Sequence, residues 1–92
     1  MKLEFDSTKN RQNFEKHGLW FEDTHDLEWD TAVYKPDNRK EYGEQRFVAY
    51  VPKRGRLYIV CITLRRDVIR IISYRKANSR EEIYYAKKTI NE

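Results

Sequence analysis

Three apolar segments with the patterning of β-strands follow one another in the second half of the chain. They span residues 46–51, 56–64 and 68–75, and short polar turns at 52–55 and 65–67 separate them. Connections this short join antiparallel neighbours, because a parallel return needs a longer crossover. The middle segment carries apolar side chains on both of its faces, which predicts the central strand of a sheet.

Helical signals precede this sheet. Asp6 is a typical N-cap and Gly18 a typical C-terminal stop, so the residues between them predict a helix, with Phe14 as its main apolar anchor. The weaker helical spacing of residues 19–29 predicts a second, shorter helix.

A further helix is predicted at the C-terminal end. An Asn-Ser pair caps it, and glutamates in its first turn and lysines in its last turn suit the helix dipole. Its apolar positions, Ile83, Ala86 and Ile90, are expected to face the sheet. With a short strand at residues 2–5, the pattern predicts one α+β domain over 1–92: two N-terminal helices, an antiparallel sheet, and a C-terminal helix packing on that sheet.

Positive charge is concentrated in the apolar stretch. Residues 46–80 hold ten basic side chains and one acidic one, whereas the rest of the chain holds nine basic and fourteen acidic ones. Arginines gathered on a rigid scaffold favour binding of phosphate groups. The alternative is that individual arginines form structural ion pairs with carboxylates. The residues predicted to bind nucleic acid are Arg46, Lys53, Arg54, Arg56, Arg70 and Lys76.

The arginines of the last strand are expected to lie on different faces. By simple alternation, Arg75 shares a face with Ile69 and Ile71, and Arg70 shares the opposite face with Tyr74.

Few residues suit other chemistry. Cys61, the only cysteine, lies in an apolar run and is expected to be a buried, inert thiol. It forms no metal-ligand spacing with His17 or His25, so neither a metal nor a cofactor is expected. His17 and Glu44 are candidates for proton transfer; the alternatives are a helix-end role for His17 and an anchoring role for Glu44 beside Arg46. No apolar run is long enough to span a membrane, and a cytoplasmic protein is predicted.

Several motifs occur in order along the chain. The opening reads E-F-D-x-x-K-x-x-x-N-x-x-K-H-G-x-x-F-E from Glu4, followed by E-x-R-F-V from Glu44 and G-R-L from Gly55. T-x-R then begins at Thr63 and R-I-I-S-x-R-x-A at Arg70. In this order they resemble the BrnT family of toxins from type II toxin–antitoxin modules. The resemblance implies a RelE-like fold and a ribonuclease activity that inhibits translation.

The resemblance also implies site residues and partners. The candidate catalytic residues are Arg65, Arg75, Arg80 and Lys9. They would stabilise the charge that develops when the 2′-hydroxyl of RNA attacks the adjacent phosphorus, with no metal ion involved. A BrnA-type antitoxin would neutralise the toxin in a 2:2 heterotetramer, and operator DNA would be bound only through that complex. The chain departs from the family at Lys40 and Glu41, where a His-Ser pair is usual.

Two other classes of protein also fit the charge distribution. A non-catalytic nucleic-acid-binding module would bind RNA in a salt-dependent way and form no product. An interaction protein would use its basic face to bind an acidic partner and would have no specific affinity for RNA.

Overall fold

The computed structural model describes residues 2–90 and builds them around a five-stranded sheet in the order β1-β5-β4-β3-β2. In chain order the elements are β1 (Lys2–Glu4), α1 (Ser7–His17), two 3₁₀ helices (Phe21–Asp26 and Trp29–Thr31), β2 (Val33–Pro36), β3 (Arg46–Lys53), β4 (Arg56–Arg65), β5 (Val68–Lys76) and α2 (Ser79–Ile90). The α+β class is confirmed. The predicted domain ends, at residues 1 and 92, lie outside the described part of the chain. Within residues 2–90, no helix combines the length and apolar character needed to cross a bilayer.

The sheet is mixed, so the prediction of an antiparallel sheet is wrong at one edge. β4 lies at the centre, as its apolar run predicts, and pairs antiparallel with β3 and β5. β1 instead pairs parallel with β5, with Leu3 opposite Ile69. A parallel partner is allowed here because most of the chain, including α1, lies between these two strands and supplies the long crossover.

Asn13 of α1 completes the edge of β5 beyond the short β1 strand. Its side-chain amide donates to the carbonyl oxygen of Tyr74 at 2.8 Å and accepts from the Tyr74 N–H at 3.0 Å. The same amide group donates to the carbonyl oxygen of Leu19 at 3.0 Å. One side chain thus supplies the hydrogen bonds that another strand would make, and it fixes α1 against the sheet.

The prediction that Phe14 is the main apolar anchor of α1 is therefore wrong. Phe14 is 39% exposed and stacks on Trp20 at the surface, whereas the buried residues of α1 are Asn10 and Asn13. Asn10 accepts a hydrogen bond from the backbone N–H of Phe21 at 2.7 Å. Buried amides with satisfied hydrogen bonds hold this helix in place of an apolar stripe.

The second predicted helix is replaced by the two 3₁₀ helices. The Thr24 hydroxyl donates to the carbonyl oxygen of Phe21 at 2.7 Å, and the indole of Trp29 donates to the carbonyl oxygen of Thr24 at 2.8 Å. Leu27 between the two helices is extended. These local bonds and the extended residue interrupt the ladder that a continuous α-helix would need.

The two faces of the sheet are covered differently. The main core lies on one face, where Phe21 and Leu27 pack against Ala49, Val60 and Ile62. A smaller cluster lies on the opposite face under α2; its buried members are Tyr50, Leu57 and Ile59.

α2 packs on the sheet as predicted, but through different side chains. Tyr84 and Tyr85 contact the smaller cluster, and the Tyr85 hydroxyl donates to the carbonyl oxygen of Thr31 at 2.8 Å. The predicted apolar positions point away: Ile83 is 56% exposed and Ile90 is 78% exposed. The tyrosines bury larger rings and still keep their hydroxyls hydrogen-bonded or wet, which favours this orientation.

A β-bulge in β5 changes the face on which its last arginine lies. The pairing with β4 shifts by one residue at Ile72, and an extra residue reverses the alternation of side chains beyond it. Arg75 therefore lies opposite Ile59, on the face that α2 covers, and Arg70 shares that face. The prediction that the two arginines lie on opposite faces is wrong, and Tyr74 enters the main core instead.

Candidate nucleic-acid interface

α2 covers only one end of its sheet face, and arginines line the rest. We call this uncovered surface the open face. Its basic side chains come from all four strands β2 to β5 and from the loop after β2, because the strand register turns them to the same side. They are Lys35, Arg39, Arg46, Arg65, Arg70 and Arg75.

Glu44 organises one end of the open face. Its carboxylate accepts from Arg46 at 3.2 Å and from Arg65 at 3.4 Å. Partial burial acts to raise the pKa of this carboxyl, but the hydrogen bonds from the two arginines outweigh it and lower the pKa. The guanidinium of Arg46 also lies 4.1 Å from the ring centre of Tyr42. The predicted anchoring role of Glu44 beside Arg46 is confirmed.

Arg70 stands on the other side of the central strand at this end. Arg46 and Arg70 each pair with Thr63 of β4, from β3 and β5 respectively. Arg70 donates to the carboxylate of Glu4 at 3.1 Å. Three arginines from three strands therefore gather at one end, each with a carboxylate that restricts its orientation.

A groove of about 440 Å³ occupies the middle of the open face, beside the start of α2. Its floor consists of Val48, Tyr50, Ile59 and Cys61. Cys61 is only partly buried and lines the groove, so the prediction of a buried thiol is wrong. It lies two residues after Ile59 in β4 and therefore faces the same side, beyond the cover of α2.

Arg75 forms one wall of the groove and is held by α2. Its guanidinium donates to both carboxylate oxygens of Glu81, at 2.9 and 2.8 Å. This pairing raises the pKa of Arg75 and lowers the pKa of Glu81. Glu81 is itself fixed by reciprocal hydrogen bonds with Asn78 at the helix N-terminus. The hydrogen bonds at the start of α2 thus fix the position of Arg75.

Arg39 forms the facing wall and is a residue that the sequence analysis missed. It donates to both oxygens of Asp37 at 2.8 Å, and the Tyr42 hydroxyl donates to the same carboxylate. The hydrogen bond from Arg39 lowers the pKa of Asp37 to about 2. Arg39 lies outside the basic stretch 46–80, and the available signal was an aspartate two residues before it in a turn.

His17 ends α1 and is not among the residues that line the groove. Burial lowers the pKa of His17, and the positive charges of Lys16 and Arg75 lower it further. A neutral imidazole at pH 7 can accept a proton.

The structure does not gather the remaining candidates on the open face. They are Lys53, Arg54, Arg56, Lys76, Arg80 and Lys9. The first three belong to the hairpin between β3 and β4, at the opposite end of the sheet from Arg46. Arg80 is exposed in the first turn of α2, and Lys9 is exposed on α1.

Folding partly neutralises the basic stretch. Glu4, Glu44 and Glu81, all outside residues 46–80, pair with open-face arginines of that stretch, and Asp37 pairs with Arg39 outside it. The interpretation as structural ion pairs is therefore confirmed for these arginines. Six cations against four carboxylates still leave the face positive, and each guanidinium has five N–H donors, more than its pairing uses. Among residues 2–90, no group of three or more His, Cys, Asp and Glu side chains is arranged to hold a metal ion.

A family model described as "Ribonuclease toxin, BrnT, of type II toxin-antitoxin system" matches residues 5–81. The matched range contains β2 to β5 and both walls of the groove, and it ends at Glu81. No curated protein matches the chain significantly.

Proposed function

The chain belongs to the BrnT family of ribonuclease toxins from type II toxin–antitoxin systems, and we propose that it cleaves RNA without a metal ion and thereby inhibits translation. The observation that carries the proposal is the open face, where arginines from several strands are turned to one side and oriented by carboxylates. Phosphate groups are the ligands that such fixed guanidiniums bind best.

The proposed reaction uses the substrate's own nucleophile. The 2′-oxygen of a ribose attacks the adjacent phosphorus, its proton passes to a base, and the bond to the 5′-oxygen breaks. The products are a 2′,3′-cyclic phosphate and a 5′-hydroxyl, the latter protonated by an acid. The protein's part is to orient the RNA backbone and to stabilise the negative charge that grows on the phosphoryl oxygens.

We assign that charge stabilisation to Arg75. Glu81 engages one side of its guanidinium, which leaves its Nε–H and one N–H of Nη2 available for a phosphoryl oxygen. Arg46, Arg65 and Arg70, at the other end of the open face, would bind neighbouring phosphates of the same strand. Arg80 and Lys9 stay proposals that rest on the family resemblance.

We assign proton abstraction to His17. A base must be unprotonated to act, and the lowered pKa of His17 keeps its imidazole neutral at pH 7. Cleavage is therefore expected to fall as the pH drops below the pKa of His17, which lies under 6.5. The variant His17→Ala should cleave RNA about a hundredfold more slowly, and its rate should no longer fall at low pH as that of the wild type does. A variant whose rate still falls at the same pH as that of the wild type would refute the assignment.

We further propose that a BrnA-type antitoxin neutralises the toxin in a 2:2 complex in the cytoplasm, and that operator DNA is bound through that complex. A type II family implies a protein antitoxin, and this supports the first part. A sheet with a C-terminal helix on one face is the arrangement that a RelE-like fold would have, and it supports that assignment.

Cleavage of RNA in the presence of EDTA tests the proposal. Purified, antitoxin-free protein is expected to degrade naked RNA at the same rate with and without EDTA, because arginines carry the charge that a metal would otherwise neutralise. Loss of activity on naked RNA in EDTA that added Mg²⁺ restores would contradict the metal-free mechanism. RNA in a translation extract, whose ribosomes themselves need Mg²⁺, is the second substrate and is tested without EDTA. Salt-dependent RNA binding without product in either substrate would favour a non-catalytic binding module.

A further inference from the structure

We propose that the groove on the open face is a binding site for one nucleotide of the RNA substrate, with Arg39 and Lys35 holding its phosphate and the apolar floor receiving its base. The inference rests on the proposed function and adds to it a substrate subsite. The residues that define it, Arg39 and Lys35, come from outside the basic stretch 46–80.

The groove has the size and lining that a nucleotide needs. Its volume of about 440 Å³ lies within the range of small-molecule sites, roughly 300–1,000 Å³. Cations stand at its walls, and Val48, Tyr50, Ile59 and Cys61 form its floor. A bare anion would gain nothing from such a floor, whereas a base would cover the parts of Val48 and Cys61 that remain exposed.

Arg39 is preorganised for a ligand. The side chain of Asp37 is 2% exposed, while that of Arg39 is 72% exposed. A buried carboxylate thus fixes an exposed guanidinium through Nε and Nη2, and three of the five donors of Arg39 remain available. Because the fork is already oriented, little side-chain entropy is lost when a phosphate binds.

The two walls of the groove repel one another, and an anion between them would relieve that repulsion. The positive charge of Arg39 opposes the effect of Glu81 on the pKa of Arg75, and the two arginines line the same groove. Lys35 adds a third cation to the lining, with its ammonium 5.3 Å from the ring centre of Tyr84. The three cations of the lining meet only two carboxylates, Asp37 and Glu81, so the groove stays positive.

The groove adjoins the arginines at the other end of the open face. Thr63, between Arg46 and Arg70, lies two residues along β4 from Cys61 and four from Ile59, both on the groove floor. At the rise of an extended strand, these spacings are about 7 and 13 Å. A single strand of RNA crossing the open face would meet the arginine cluster first and then place a following nucleotide in the groove.

The single cysteine of the chain allows occupancy of the groove to be measured directly. The probe is an RNA octamer that is fully 2′-O-methylated, which binds but cannot be cleaved because its 2′-oxygen is no longer a nucleophile. Alkylation of Cys61 by iodoacetamide is followed by mass spectrometry with and without saturating octamer. Binding is measured in parallel by fluorescence anisotropy, and folding by circular dichroism.

We expect the bound octamer to slow alkylation of wild-type Cys61 at least tenfold. Arg39→Ala should weaken octamer binding about tenfold or more, and an octamer concentration that protects Cys61 in the wild type should no longer protect it in this variant. Lys35→Ala changes only an exposed strand residue and should act in the same direction. It serves as the test variant if Arg39→Ala proves unstable. Arg11→Ala removes an exposed arginine from α1 and should behave as the wild type.

The outcomes separate the groove from the ribonuclease activity. An octamer that binds without slowing the alkylation of Cys61 would overturn the nucleotide site, as would Arg39→Ala and Lys35→Ala variants that bind and protect normally. Protection that depends on Arg39, in a protein that cleaves no RNA, would support the site and refute the proposed activity. Cleavage of RNA by a protein whose Cys61 the octamer does not protect would support the proposed activity and refute the nucleotide site.

Discussion

Replacing Arg75 with alanine is expected to slow RNA cleavage about a thousandfold and to abolish growth arrest when the toxin is expressed in cells. Removal of one preorganised donor to a developing negative charge costs about 3–4 kcal/mol of barrier, and two carboxylate hydrogen bonds from Glu81 at the start of α2 hold Arg75 in place. Single-turnover cleavage of RNA and growth curves measure the two effects.

Two further variants make this prediction specific. Arg75→Lys keeps the charge but loses the planar fork, and it should recover only a small part of the rate. Arg11→Ala, an exposed arginine on α1, should cleave as the wild type does. A folded Arg75→Ala protein with wild-type activity would remove Arg75 from the site. Circular dichroism and a thermal melt establish that the variant is folded.

Replacing Asn13 with alanine is expected to lower the free energy of unfolding by about 3 kcal/mol. The change removes three hydrogen bonds and leaves the buried N–H and carbonyl of Tyr74 without partners at the edge of β5. Each unsatisfied buried group costs about 1–3 kcal/mol. In a chain of this length, the melting temperature should fall by more than about 10 °C.

A neighbouring residue provides the control for Asn13. Gln12 is exposed on the same helix, and Gln12→Ala should change the free energy of unfolding by less than about 0.5 kcal/mol. Asn13→Asp retains the acceptor for the Tyr74 N–H but turns oxygen atoms toward the carbonyl groups of Tyr74 and Leu19. It should therefore be at least as unstable as Asn13→Ala. If Asn13→Ala melts within a few degrees of the wild type, the amide does not hold α1 to the sheet.

Local signals in the sequence were sufficient for several elements. Asp6 caps α1 by accepting from the N–H of Thr8, and Gly18 ends it in the left-handed conformation, as predicted. The two hairpins of β3, β4 and β5 also follow from short turns between apolar runs. Each of these features depends on residues within a few positions of one another, so a single sequence contains the information.

Features that depend on distant residues were not predictable. The parallel pairing of β1 with β5 joins residues more than sixty positions apart, and the Asn13 bonds to Tyr74 do the same. The bulge at Ile72 follows from how β5 fits against β4, and no turn or glycine signal marks it. This one extra residue decides that Arg75 joins Arg70 on the open face, which simple alternation could not give.

The candidate site was predictable only in part for the same reason. Composition identified the basic stretch, and the ordered motifs identified the family. Glu44 and Glu81 flank the basic stretch and Glu4 lies far from it along the chain, so the charge of residues 46–80 alone overstated the charge of the folded surface. Arg39 joins the groove through the loop after β2, which sequence spacing alone does not relate to Arg75.

The chemical nature of the cleaved ends distinguishes attack by the 2′-oxygen from attack by water. Wild-type protein is incubated with a 5′-labelled RNA, naked in EDTA and in a translation extract without EDTA, and the termini of the products are determined. We expect a 2′,3′-cyclic phosphate, or the 3′-phosphate formed from it, on one fragment and a 5′-hydroxyl on the other. Fragments that end in a 3′-hydroxyl and begin with a 5′-phosphate would mean that water is the nucleophile, and would contradict the mechanism assigned to the open face.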